Sequence, residues 1–485
     1  MMTRNTTDKI KQSLNRFTDI LSETERQEIL DIQQKPLLMG IRINPLKGEP
    51  RTIIRDLVNR YGWAVNPVAF CENGWMIKYA QTPPGGTIEH RMGLYYLQDP
   101  ASMVPVSLFD FQEDELLILD MAASPGGKTT HLVDRTHDRG FILANDASKS
   151  RIPALRSVLA AWGAINQAVV QYPGESFGSW YPETFDRILL DAPCSMENLR
   201  PTTTHPLRDT SVDERLRLQE RQVQLLTGAL GALKTGGQIV YATCSLAPEE
   251  DEAVLDALVR RYPNSVQIDD IADKVPFDVP GLTSFNQQVY HPDVAHALRL
   301  WPHRTGMSGF FCARLTKRNP ISIVQEPPPA RAFSKTGLEL TGKDLQYQIF
   351  DQIRENYGFD LEPVQESTGF EVFSRHEQLF LIPRHYLAHF INLPFEYIGL
   401  PLGRWNGEKI EPAHPFINRF GHRFTRGIIQ IENKQVDQWI SGRDLRYPQT
   451  SLTPQGQYLL VTDQDGRNLG LGKLLPKRLR NMLPR

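Results

Sequence analysis

Between residues 116 and 245 five short apolar runs alternate with stretches of helical periodicity, and nothing else in the chain constrains its fold as strongly. The runs are LLILDMAA (116–123), GFILAND (140–146), AVVQY (168–172), DRILLDAP (186–193) and QIVYATCS (238–245). Each is continuous in its apolar character, the pattern of a strand covered on both faces and not of one with a wet side. Between them lie helical stretches at 128–136, 150–163 and 218–233. In the last, Val223, Leu226, Leu230 and Leu233 recur every three or four residues as one apolar stripe. Ser211 and Glu214 just upstream have the spacing of a capping box. Strand–helix alternation of this kind predicts an α/β fold with a doubly wound parallel sheet.

The flanks read differently. Residues 1–104 combine an amphipathic start with strand-like runs at 37–46 and 74–80. Near 318 the alternation stops in KRNPISIVQEPPPARAFSK, whose Pro320 and Pro327–Pro329 favour stiff extended chain, marking a boundary. Beyond it come mixed helix and strand, then Gly-rich strands at 427–431, 456–463 and 468–475. With 485 residues and about 150 per domain, roughly three domains are expected. The formal net charge of −2 excludes a chain that coats nucleic acid through its overall charge, but not a local basic face. One such candidate is 466–485, with Arg467, Lys473, Lys477, Arg478, Arg480 and Arg485 and no acid. From composition alone it reads equally well as a solvated tail. The four cysteines, Cys71, Cys194, Cys244 and Cys312, form no CxxC pair, so neither a disulfide framework nor a zinc site is expected. The start has no signal-peptide core, and no run approaches the roughly 18 apolar residues of a membrane span. A soluble, cytoplasmic protein is expected, with no metal.

The first strand leads into Asp120-Met-Ala-Ala-Ser-Pro125-Gly126-Gly127-Lys128-Thr129. A Gly-rich turn before a helix aims backbone N–H groups at a ligand. Two ligands are possible. Ala122 to Thr129 approximates a phosphate-binding P-loop with Ala at the first glycine, and ILLD ending at Asp191 resembles a Mg²⁺-binding strand, so an NTPase is one reading. Against it, Pro125 removes a backbone donor. Asp146 also ends the second strand nineteen residues past Gly127, where dinucleotide-type folds hold a ribose diol, although a strand-end cap would look the same.

Two further strands each end in a cysteine. DRILLDAPCS sets Asp191 and Cys194 past one strand, and GGQIVYATCS sets Cys244 past the next. In open α/β sheets the ligand crevice lies at the carboxyl ends of the strands, so if these strands pair, both thiols and Asp191 face it. A deprotonated cysteine adds to electron-poor carbons, and a nearby helix N-terminus lowers its pKa. LAPEEDEAVLDALVRR after Cys244 reads as that helix, with Pro248 in its first turn. The acids Glu249, Glu250, Asp251 and Glu252 would serve either its dipole or an active site.

DMAASPGGKTT, DAPCS, YATCSL and EEDEAV, in this order, together with YYLQDPASMVP (95–105) and RLWPHRTGMSGFF (299–311), resemble the NOL1/NOP2/Sun family of RNA cytosine-5 methyltransferases over about 40–317. GLPLGRWNGEKIEPAHPF (399–416), GRDLRYP (442–448), LGLGK (469–473) and RLRNMLPR (478–485) resemble the PUA-like RNA-binding region of the RsmF-type ribosomal RNA members. The resemblance implies a Rossmann-like class I methyltransferase domain at 105–317 after an N-terminal α/β extension (1–104). A Pro-rich linker (318–338), a small α/β subdomain (339–395) and a PUA-like domain (396–485) would follow. It implies S-adenosylmethionine over Ala122, Ala123, Ser124, Pro125, Gly126, Gly127 and Lys128, with Asp146 on its ribose and Asp191 beside it. Cys244 would be the nucleophile on cytosine C6, Asp191 would hydrogen-bond the ring, and Cys194 would assist proton removal and release. By analogy with DNA methyltransferases, whose nucleophile follows a proline, the two cysteines could exchange roles. Lys473, Lys477, Arg478 and Arg480 would hold RNA, ribosomal in preference to transfer RNA, on a monomeric enzyme. The sequence departs from the family at Pro173, where an Asp near the adenine is usual, and at Met196 and Asn198, which replace glycines. The altered Cys194 loop leaves open a non-enzymatic RNA-binding assembly factor with the same fold.

Overall fold

In the computed structural model, which describes residues 4–32, 35, 37–112, 115–200, 210–446 and 457–483, the five apolar runs are neighbouring strands. The central sheet runs, edge to edge, Val266–Ile268, Phe310–Lys317, Leu233–Thr243, Phe185–Asp191, Leu117–Asp120, Phe141–Asn145, Gln167–Val170 and Tyr397–Ile398. The five from Leu233–Thr243 to Gln167–Val170 are mutually parallel, and Phe310–Lys317 joins antiparallel. Successive residues enter opposite cores: Leu117 and Leu119 pack with the helix Val212–Ala232, whereas Ile118 packs with Leu132 and Trp162 on the other face. That two-sided burial is why the runs carry no polar alternation. After the first strand the chain builds outward through Phe141–Asn145 and Gln167–Val170, then returns to lay Phe185–Asp191 on the first strand's other side. The reversal opens a crevice at the carboxyl ends of the first and fourth strands.

The helix expected at 218–233 begins earlier, at Val212, where Ser211 Oγ accepts from the Glu214 N–H at 3.1 Å. Leu226, Leu230 and Leu233 are fully buried, and Val223 packs at the margin of the same core. The helix expected to hold Pro248 in its first turn instead starts at Glu252. Residues 248–251 form a turn in which Glu249, Glu250 and Asp251 bind groups on other segments.

The N-terminal extension is two pieces. A four-stranded antiparallel sheet, in the order Ala64–Val68, Cys71–Tyr79, Met39–Ile43, Tyr95–Leu97, packs on the helix Pro50–Tyr61. The helices Arg4–Leu14 and Glu23–Ile32 lie on the catalytic layer, where Ile10, Leu14, Phe17, Leu21 and Ile29 join its main core. Residues 318–332 hold no helix or strand, as the prolines require. The boundary expected between 395 and 396 needs correction, because it falls inside a sheet. Gln378–Pro383 pairs with Leu400–Trp405, and one five-stranded sheet covers 339–412. A second five-stranded sheet, from Ile428–Gln430 to Arg478–Asn481, closes the described chain. Among the described residues no helix is long and apolar enough to cross a membrane.

Candidate active site

The turn after Leu117–Asp120 is fixed by its own backbone and by the strand beside it. The Ala123 N–H donates to Asn145 O at 2.7 Å, and the Gly126 N–H to Ala123 O at 2.8 Å. Gly126 has φ +110°, and a Cβ there would lie 3.0 Å from Val158 Cγ1, so only glycine suits both the conformation and the space. A Cβ on Gly127 would meet the Tyr96 ring at 2.7 Å. The helix Gly127–Arg135 then presents its first N–H groups, which have no intrahelical acceptor. Asn145 ties this turn to the next, donating to Met121 O and Tyr172 O, each at 3.0 Å, while the Tyr172 N–H returns a bond to its Oδ1 at 2.9 Å. The wholly buried Arg42, from the N-terminal sheet, pairs with Asp134 and donates to Gly127 O at 2.9 Å and Thr130 Oγ1 at 2.5 Å.

Asp146 is buried at the end of the second strand. It accepts from the Ser124 N–H at 3.2 Å and the Ser148 N–H at 2.9 Å, leaving acceptor capacity on a carboxylate with about four sites. Asp120 beneath the turn accepts from Thr129 Oγ1 at 2.7 Å, while its second oxygen has no partner. Burial pushes its carboxyl up to about 7, and the nearby charges of Asp191 and Asp146 push the same way. Three carboxyl groups surround the turn with two cations, Lys128 beside Asp191 and Arg151, which pairs with Asp146 at 3.4 Å. Asp146 at the strand end suits a ribose diol, and Pro125 withholds one of the backbone donors that a polyphosphate would use. A glycine turn with a buried carboxylate at the next strand end fits the nucleoside part of S-adenosylmethionine. Pro173, at the end of the third strand, is exposed and brings no carboxylate to this cradle.

Phe185–Asp191 and Leu233–Thr243 pair directly, Asp191 opposite Ala242, and the crevice gathers the three residues expected there. Cys194 and Cys244 are partly buried with their sulfurs 3.2 Å apart. Lys128 Nζ reaches Asp191 Oδ2 at 2.6 Å and lies 5.3 Å from the centre of the Phe310 ring. Burial opposes the Lys128 charge, but the Asp191 carboxylate outweighs it and the net shift is upward. Asp191 stands on the crevice edge with Lys128 as its ion-pair partner. For Cys194, the hydrogen bond to Cys244 and then burial push the thiol well above its ordinary range.

The acidic run after Cys244 is spent on long-range contacts and not on its helix. Arg16 donates to Glu249 at 2.6 Å and to Glu197 at 3.1 Å, joining the two cysteine loops from the N-terminal helical segment. Arg299, wholly buried, donates to Glu252 at 2.8 Å, to Asp251 at 3.3 Å and to Leu246 O at 2.9 Å. Glu250 turns to Ser195, Ser245 and Gln222. Sequence reasoning did not find Arg16, Gln222, Arg299 or Arg42, which lie far along the chain from their partners. The one local signal was the density of acids at 249–252.

The expected RNA-contacting residues separate. Lys473 Nζ donates to Tyr458 Oη at 2.9 Å and sits 4.5 Å from the centre of that ring, so it is engaged within its own sheet. Lys477 is exposed in the turn before Arg478–Asn481, with φ +66°. Arg478 and Arg480 lie on the outer face of that strand, opposite the buried Leu479, and with Arg91 line a cleft of about 1100 Å³. Arg478 also pairs with Asp444 at 3.2 Å. Arg485 lies outside the described residues.

The sheet order, the strand-end crevice and the cradle define a class I S-adenosylmethionine-dependent methyltransferase. Residues 106–316 match the family described as 16S rRNA methyltransferase RsmB/F, and 11–100 match the N-terminal domain of 16S rRNA methyltransferase RsmF. The chain is 32% identical to ribosomal RNA small subunit methyltransferase F of Citrobacter koseri and 33% identical to that of Klebsiella pneumoniae, covering 93% of this chain and 90% of each relative. Among solved structures, a methyltransferase homolog from Pyrococcus horikoshii is 28% identical, with a TM-score of 0.56 over 66% of this chain and all of that one. NSun6 from Pyrococcus horikoshii with SFG, 18% identical at a TM-score of 0.52 over 65% of this chain and 98% of that one, shares the fold. The chain belongs to the RsmB/F family of 16S rRNA methyltransferases.

Proposed function

We propose that this chain is an S-adenosylmethionine-dependent methyltransferase that forms 5-methylcytidine in 16S ribosomal RNA, as a cytoplasmic monomer, with Cys244 as the nucleophile. The observation that carries this reading is the pair of thiols 3.2 Å apart at the ends of adjacent parallel strands, beside a carboxylate held by Lys128. Ring carbons of cytosine are inert to simple displacement, and a thiolate that adds to C6 makes C5 electron-rich. S-adenosylmethionine, when bound, supplies the electrophilic methyl group. Cys244 Sγ bonds C6, and Asp191 hydrogen-bonds the ring nitrogen and stabilises its protonated form. C5 gains the methyl group, the pair of the broken bond staying on the cofactor sulfur; the C5 proton then leaves to water, assisted by Cys194, and its bonding pair re-forms the C5–C6 double bond. The C6–Sγ bond breaks and its electron pair returns to Cys244. The target base must leave its stack, at a cost of a few kcal/mol. Binding of the flanking RNA by Lys477, Arg478 and Arg480, with Lys473 nearby, would offset part of that cost, and the exposure of the first three supports their role.

Tritiated S-adenosylmethionine with bulk rRNA and tRNA from cells lacking this protein, followed by nucleoside digestion, tests the reading. Label in 5-methylcytidine from 16S rRNA is expected. Label in another nucleoside or confined to tRNA would overturn it.

A further inference from the structure

One buried carboxylate touches the residue after each cysteine. Glu250 Oε2 accepts the Ser195 N–H at 2.8 Å, and its Oε1 accepts the Ser195 hydroxyl and, at 3.0 Å, the Ser245 hydroxyl. Gln222 Nε2 donates to Glu250 Oε2 at 3.2 Å and to Pro193 O at 2.9 Å, so it grips the same loop from the residue before Cys194. The two serine oxygens are themselves 3.1 Å apart. The Glu250 backbone is anchored too, its carbonyl accepting from Tyr241 Oη at 2.6 Å. Glu250 is fully buried, and four donors converge on it. A carboxylate is the one side chain of this shape that accepts at both ends without presenting a donor.

We propose that Glu250 is a positioning residue that clasps the two cysteine loops and sets the thiol–thiol contact on which release of the methylated RNA depends. This rests on the reading of Cys244 as nucleophile and Cys194 as the releasing group. Addition of Cys244 to C6 needs Cys244 and Asp191, each held by its own strand, and not Cys194. Elimination needs Cys194 as well, to assist transfer of the C5 proton to water: its bonding pair forms the C5–C6 double bond, and the C6–Sγ pair returns to Cys244. If the clasp loosens, addition continues while elimination slows, and the covalent RNA–protein adduct builds up.

Glu250→Gln keeps the shape but turns an NH₂ toward donors. The variant is expected to melt as a folded protein and to carry several-fold more denaturant-stable RNA adduct at steady state than wild type. Its kcat should fall about tenfold or more, with KM for RNA little changed, since small misplacements of reacting groups weigh on the chemical steps. Cys194→Ala is the positive control for trapping and Cys244→Ala the negative one. A folded Glu250→Gln that loses turnover without accumulating adduct, while Cys194→Ala does accumulate it, would overturn the clasp and leave the cysteine roles standing. No adduct from Cys194→Ala, or trapping by Cys244→Ala alone, would overturn those roles and the clasp with them. Should Glu250→Gln not fold, Ser245→Ala, which removes a single donor, decides: raised adduct supports the clasp and wild-type levels refute it.

Discussion

At Met196, two residues past Cys194, an L-residue occupies the left-handed region with φ +61°, where the family's loop carries glycine. Asn198, the other glycine replacement, is not left-handed; Leu199 is, with φ +56°, and it is fully buried. Only Met196 can thus be relieved without opening a cavity. Met196→Gly should stabilise the protein by roughly 0.5–1 kcal/mol, the left-handed cost less the entropy glycine adds to the unfolded chain. Urea denaturation of the two forms measures it, and no gain would mean that contacts of the methionine side chain offset the strain. His414 is a second single-residue case. Burial, then the charges of Lys47 and Arg91, push its imidazole down to about 4 from 6.5. Between those values the unfolded chain binds a proton that the folded chain refuses, so this contribution is complete above about 6.5 and is lost as pH falls toward 4. The wild type should therefore lose stability relative to His414→Gln across that window, as urea midpoints at pH 7, 5.5 and 4.5 would show. A constant difference would place the ionisation elsewhere. At this scale the cysteines, Asp191, Asp146 and the glycine turn were legible, because each stands at a strand end recognisable from the run before it. Glu250 was visible only as one of four adjacent acids, since Gln222 and Ser195 lie 28 and 55 residues away.

Between elements, one close backbone approach is made by two glycines. A Cβ on Gly178 would lie 2.7 Å from Gly228 O, and one on Gly228 would lie 2.5 Å from Glu175 O, so the helix Val212–Ala232 sits backbone to backbone against Gly174–Trp180. Gly228→Ala gains helix propensity but forces these segments apart, and a net loss of about 1–3 kcal/mol is expected from the overpacking. A melting temperature equal to or above that of wild type would show that the segments can slide without penalty. Strand identity and parallel pairing followed from the sequence because a strand buried on both faces has a composition no surface element shares. The start of the helix after Cys244 did not. Pro248 and four acids have the form of a helix beginning, but Arg16, Arg299 and the two serines bind those acids more strongly than a helix dipole would, and the helix starts at Glu252.

Across the whole molecule the parts interlock. Tyr397–Ile398, from the C-terminal region, extends the catalytic sheet beside Gln167–Val170. Phe390 stacks on Phe141 and Phe185 with ring centres 5.6 and 5.7 Å away. Arg419 pairs with Asp138, while Arg467 and Arg60 share Glu89 of the N-terminal part. A fragment ending at 317 would leave a bare sheet edge and an exposed aromatic face, which invites edge-to-edge association. It should melt at lower temperature and aggregate in light scattering, whereas a monodisperse fragment with wild-type melting would show that the catalytic layer is self-sufficient. The sequence by itself determined the α/β class, the order of the strands along the chain, the glycine turn and the residues at the strand ends, since local periodicity and strand-end chemistry are written in consecutive residues. Tertiary structure alone decided that the two thiols touch, that Lys128 serves Asp191, that Lys473 is engaged while Arg478 and Arg480 face a cleft with Arg91, and that one sheet crosses the expected C-terminal boundary. These depend on contacts between segments tens to hundreds of residues apart, and no local pattern records which distant donor a buried carboxylate will find.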